Sequence, residues 1–121
     1  MTMRYSKPPS QRQLKVAEEI KKAVSYILST DQLFHPALEN AIISITEVRI
    51  SPDLKAATLF FTNINGDKNL IIDAMNGFTP EIRRLVAKSV KLRYAPNLRF
   101  VYDDNIDNAI RLDGILQEDK R

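Results

Sequence analysis

The sequence predicts an α+β domain in which helices cover one face of an antiparallel-type sheet. Three observations lead there. Apolar residues recur at helical spacing in 11–28, in 67–78 and again after Thr79. A β-branched run, 41–50, and a second strand-like run, 55–62, flank the turn tripeptide Ser51-Pro52-Asp53. A third run, Leu98 to Asp103, alternates apolar and polar residues as a half-buried strand does. The order is helix, strand, strand, helix, kink, helix, strand. At 121 residues this is one domain with a modest core.

Residues 1–10, MTMRYSKPPS, read as a flexible polar arm and contain no apolar core of a secretory signal. From Gln11 the stripe Leu14, Ala17, Ile20, Val24, Ile27, Leu28 marks the first helix, with Arg12, Lys15 and Lys22 away from it. Ser29-Thr30-Asp31 is its exit, and a loop or short helical turn follows around His35-Pro36. Ala41–Ile50 and Lys55–Thr62 form a hairpin, the second strand turning Ala57, Leu59 and Phe61 to one face. Asn63-Ile64-Asn65-Gly66 ends it. Asp67–Phe78 carries Leu70, Ile71, Ala74, Met75 and Phe78 at helical spacing, and Gly77 and Pro80 bracket a break.

Thr79 is placed as an N-cap, with Pro80 at the first helical position and Glu81 in the first turn at the positive end of the dipole. Ile82, Leu85, Val86, Ser89 and Val90 form the apolar stripe; Arg84, Lys88 and Lys91 oppose it, with Arg83 beside them. Ala95-Pro96 is the expected end of this helix, because the residue before Pro is driven extended. A short last helix is expected over 105–116, and 117–121 is a polar tail.

Charge is uneven. Residues 67–101 carry seven Lys/Arg against three Asp/Glu, a net +4, whereas 102–121 carry three against six, a net −3. A cationic surface followed by an acidic stretch points to a polyanion met by one face. The absence of cysteine excludes thiolate chemistry and cysteine-bound metals. No apolar run is long enough to span a membrane, and the cytoplasm is the expected location. There is no Walker-type loop, Gly-x-Ser-x-Gly or His-Glu-x-x-His, so no catalysis is expected. His35 lacks neighbours at ligand spacing. Asp103, Asp104 and Asp107 are read as helix-capping carboxylates in preference to a Mg²⁺ site.

Three blocks in order resemble the ribosome-binding factor A family: QRQLKVAEEIKKAVSYIL with Val16–Ile20, ITEVRISPDLKAATLFFT with its Ser51-Pro52-Asp53-Leu54 turn, and VKLRYAPNLRFVYDDNIDNAIRLDGIL. Together they span 12–116. The resemblance implies a type II KH-like fold, a helix-kink-helix packed on a three-stranded sheet in the order α-β-β-α-kink-α-β with a short C-terminal helix. The domain is expected over 11–116. Members lack the GXXG loop by which ordinary KH domains clamp nucleotides, and so does this sequence. Where members often carry an Ala-x-Gly-like interhelical segment, this chain has Phe78-Thr79-Pro80.

The resemblance further implies a monomeric, cofactor-free factor that binds 16S rRNA in the immature small (30S) ribosomal subunit. It would assist late maturation of the rRNA 5′ end, chiefly in the cold, with a GTPase linked to its release. The expected RNA contacts are Arg83, Arg84, Lys88, Lys91, Arg93 and Arg99, then Arg12, Lys15 and Lys22, with Arg4 and Lys7 in the arm. Among the aromatics, Phe100 and Tyr102 share the face of Leu98 and belong to the core; the pattern leaves Tyr94 open between burial and base stacking. Two rival readings are a general KH-like RNA chaperone without ribosome specificity and a protein–protein adaptor.

Overall fold

The computed structural model describes residues 8–30 and 32–104. The arm up to residue 7, the expected last helix and the polar tail lie outside the described residues. The elements are α1 (Gln11–Ser29), a 3₁₀ turn (Pro36–Leu38), β1 (Ile42–Ile50), β2 (Ala56–Ile64), α2 (Lys68–Gly77), α3 (Thr79–Ser89) and β3 (Asn97–Tyr102).

Ser10 starts α1 through a capping box: its hydroxyl accepts from the Gln13 N–H, and the Gln13 side chain accepts from the Ser10 N–H. The Gln13 amide also donates to Ile50 O at 2.9 Å, fixing the helix start to the end of β1. The buried stripe is Val16, Ile20, Val24 and Ile27. Leu14 does not join it and is 50% exposed. At 3.6 residues per turn it points about 200° away from Val16.

The sheet order is β1-β2-β3. β1 and β2 are antiparallel, with a bulge between Ile45 and Glu47. β3 runs parallel to β2, with Ala56 opposite Asn97 and Phe61 opposite Tyr102. The expected antiparallel-type sheet is therefore a mixed one. The reason is the crossover: α2 and α3 carry the chain back along the sheet, so it re-enters in the direction of β2. Ile45, Val48, Ile50, Ala57, Leu59, Phe61, Leu98 and Phe100 face inward against Ile71, Met75, Ile82 and Val86 of the helices. Phe61 meets Phe100 and Tyr102 edge-on, at 6.4 and 5.7 Å between centroids.

Asp67 caps α2 by accepting from the Asn69 and Leu70 N–H groups. The kink is centred on Phe78 (φ −91°, ψ 4°), whose N–H bonds Ala74 O and whose C=O accepts from the Ile82 N–H. The hydrogen-bond ladder thus nearly runs through, and Phe78, not Thr79, stands at the N-cap. The Thr79 hydroxyl instead donates to Asn76 O at 3.0 Å. That carbonyl would have accepted from residue 80, but Pro80 has no N–H to offer. Gly77 belongs to α2 itself, so a left-handed glycine does not make the break.

Asn76 protects the free edge of β3. Its side-chain oxygen accepts from the Phe100 N–H at 3.0 Å and its nitrogen donates to Phe100 O at 3.1 Å, taking the place of a fourth strand at that residue.

The helix α3 ends at Ser89, short of the expected Ala95-Pro96. Val90 is extended and buried, and Leu92, two residues on, is half-buried against the core. Extended backbone turns residues two apart to the same side, which a helix does not.

Candidate nucleic-acid interface

Among the described residues the expected contacts are all exposed but fall on four different parts of the fold, and Arg4 and Lys7 lie outside the described residues. Arg83, Arg84 and Lys88 lie on α3; Lys91 and Arg93 lie on the α3–β3 loop, not on the helix face where the spacing put Lys91. Arg12, Lys15 and Lys22 lie on α1, which packs beside α3. Arg99 stands apart. It alternates with buried Leu98 and Phe100, so it faces away from the helices on the outer side of the sheet. There it is aligned with Thr58, which in turn pairs with Arg49.

Two of the α3 arginines have partners within the protein. The Arg83 Nε donates to Ala95 O (3.2 Å) and Pro96 O (3.1 Å), and its Nη2 to Ala95 O (2.9 Å). The planar guanidinium fork thus ties the loop to the helix. Arg84 forms an i, i+3 ion pair with Glu81. Both side chains are about half exposed, so this pair contributes little to stability and leaves the charge near the surface. No ion pair of Lys88, Lys91 or Arg93 is found among the described residues.

The loop itself is built to show some residues and hide others. Val90 and Pro96 are buried and Leu92 is half-buried, while Lys91, Arg93 and Tyr94 point out. Tyr94 is 72% exposed and the Arg93 guanidinium carbon lies 6.0 Å from its ring centroid. The open question of Tyr94 is thereby answered in favour of the surface, whereas Phe100 is buried and Tyr102 half-buried.

Sequence reading missed Arg49 and Lys68. Arg49 overlies Phe60 at 5.2 Å and pairs with Glu47 at 2.6 Å; Lys68 overlies Tyr102 at 4.5 Å and lies 3.9 Å from Asp104. The strand register that aligns Arg49 with Arg99 was the signal needed, and no local pattern contains it. Asp103 is buried, accepts from the Thr46 hydroxyl across the sheet and donates its N–H to Phe61 O at 2.7 Å; the helix it is expected to cap lies outside the described residues. Asp107 lies outside the described residues. The His35 Nδ1 accepts from the Ala37 N–H, capping the 3₁₀ turn. Among the described residues no three His, Cys, Asp or Glu side chains form a group that could hold a metal. No helix there is long and apolar enough to cross a membrane.

A helix-kink-helix on a three-stranded sheet, with its cations on the helices and the following loop, defines a KH-like α+β domain. The chain belongs to the ribosome-binding factor A family, whose model matches residues 12–116. It is 43% identical over 113 residues to ribosome-binding factor A of Chelativorans sp. strain BNC1, covering 93% of this chain and 85% of that protein. The Methylobacterium nodulans protein of the same description is 41% identical, with 93% and 84% covered.

The fold is similar to the crystal structure of ribosome-binding factor A from Thermus thermophilus. The TM-score is 0.65 at 17% identity, over 74% of this chain and 94% of that one. It is also similar to the Thermus thermophilus homology model fitted into the cryo-EM map of a 30S–RbfA complex. There the TM-score is 0.60 at 18% identity, over 73% and 91%.

Proposed function

We propose that this protein is a small-subunit assembly factor that binds 16S rRNA, assists late maturation of the rRNA 5′ end and performs no chemistry itself. The observation that carries the reading is the family match along 12–116. The placement of a Thermus relative in a 30S complex and the exposed cations of α3, its loop and α1 support it further.

The mechanism is one of grip and release. Lys88, Lys91 and Arg93 neutralise rRNA phosphates and release counterions, which gives affinity without reading sequence. A site that forms late in assembly binds the protein more tightly than earlier conformations do, and this differential affinity shifts the rRNA toward the late form. Maturation or a GTPase then removes the factor. It works in the cytoplasm as a monomer, without a cofactor.

Sedimentation with immature and mature small subunits and with large subunits tests the reading. The Arg84→Glu/Lys88→Glu/Lys91→Glu variant is run beside the wild type. Salt-sensitive binding to small subunits, lost in the variant, is the expected result. Equal binding to large subunits would leave a general RNA chaperone. Small-subunit binding that ignores salt would point to a protein–protein adaptor.

A further inference from the structure

The α3–β3 loop carries more than charge. Its buried residues, Val90 and Pro96, anchor both ends, and the Leu92 N–H bonds Val90 O at 2.9 Å, which sets a tight bend between them. Arg83 holds the far end through three hydrogen bonds to the Ala95 and Pro96 carbonyls. Lys91, Arg93 and Tyr94 are thereby presented to solvent from a loop that is already ordered. Tyr26 and Phe34 are also exposed aromatics, at 67% and 83%. Among the described residues, Tyr94 alone combines an exposed ring with a cation beside it.

Resting on the RNA-binding reading above, we propose that this loop is a preformed site for an unpaired nucleotide of rRNA. The base stacks on Tyr94, and Lys91 and Arg93 meet the flanking phosphates. Arg83 is a positioning residue that touches no RNA. The chemistry favours a single strand. In an A-form duplex the base faces are already stacked on their neighbours, whereas an unpaired base offers a free face to an aromatic ring. Such a stack is tolerant of sequence, since every base has a π-face, and contributes on the order of a tenfold change in affinity or more. The fork of Arg83 meets two adjacent carbonyls at once, a geometry that a lysine ammonium does not reproduce.

The test uses a short single-stranded oligoribonucleotide carrying 2-aminopurine and a duplex of the same sequence, with small-subunit sedimentation in parallel. Wild-type protein is expected to quench the 2-aminopurine on binding. Tyr94→Ala is expected to lose the quenching and to weaken single-strand binding about tenfold, with the duplex unaffected; Tyr94→Phe keeps both. Lys91→Ala is expected to reduce the salt slope by about 0.7, the single-strand value for one phosphate, whereas Tyr94→Ala leaves the slope unchanged. Arg83→Gln is expected to reproduce the Tyr94→Ala loss, and the double variant to bind no worse than either single one. Additive losses would mean that Arg83 contacts RNA itself, and would overturn its positioning role.

Wild-type affinity in Tyr94→Ala, together with loss of binding in the charge-reversed variant, would overturn the stack and leave the assembly-factor reading standing. Absence of small-subunit binding by the wild type would overturn that reading and the proposal with it.

Discussion

The β1–β2 turn closes on itself, whereas the α3–β3 loop is held by a side chain twelve residues away. In the turn, the Ser51 N–H bonds Ala56 O and the Leu54 N–H bonds Ser51 O, both at 2.9 Å. The Ser51 hydroxyl accepts from the Lys55 and Ala56 N–H groups, and Asp53 Oδ1 accepts from the Lys55 N–H and the Ser51 hydroxyl. Leu54 completes the reversal in the left-handed region (φ 63°) and turns its side chain toward the core. Every one of these contacts spans at most five residues. The loop has no such self-sufficiency. Its order depends on Arg83 and on two buried anchors, so a turn can be specified by its own letters while a loop of similar length depends on the surface beneath it.

The largest expected effect is at another place where backbone is held from a distance. Asn76→Ala leaves the Phe100 N–H and C=O without their partners on the protected edge of β3, and is expected to cost about 2–4 kcal/mol. Urea unfolding measures the cost, and faster amide exchange at Phe100 locates it. Arg83→Ala removes three charge-assisted bonds to the loop and is expected to cost about 2 kcal/mol. Its exchange signature should cover 90–96 and spare 51–56. Exchange unchanged in 90–96 would break the comparison, because the loop would then hold itself as the turn does.

Ser51→Ala is expected to cost about 1 kcal/mol and to raise exchange at Lys55 and Ala56 alone. The smallest effect is one of pH. The Ser51 hydroxyl, and then the Lys55 N–H, hold the Asp53 carboxyl below its ordinary range. A depressed folded-state pKa means stability that is present above the ordinary Asp value of about 3.9 and is lost as pH falls through the lower folded value. As pH falls below about 4 the Lys55 amide resonance should therefore shift, and its protection relative to the intrinsic exchange rate should fall. The loop, held by a guanidinium that stays charged, should show no change over the same range.

Much of the fold is legible in the letters. The hairpin was readable because Ser51-Pro52-Asp53 supplies its own hydrogen-bond partners, and the inward set Ala57, Leu59, Phe61 followed from period-two alternation. The α3 stripe was right through Val86, and Val90 is buried as expected, though on extended backbone. Of the candidate interface, the identities of the cations and their exposure were readable. Their roles were not. A guanidinium on a helix face has the same spacing whether it meets a phosphate or, as Arg83 does, a carbonyl from the next loop.

Propensity, capping and turn chemistry act within about five residues, so the chain alone specified which segments are helices and strands, where the hairpin reverses, and which strand faces are apolar. The direction of β3, the place where α3 stops, the edge held by Asn76 and the loop held by Arg83 were settled only by assembly. Each depends on which surfaces meet across more than ten residues of chain, and the free energy that decides them exists only once those surfaces are in contact.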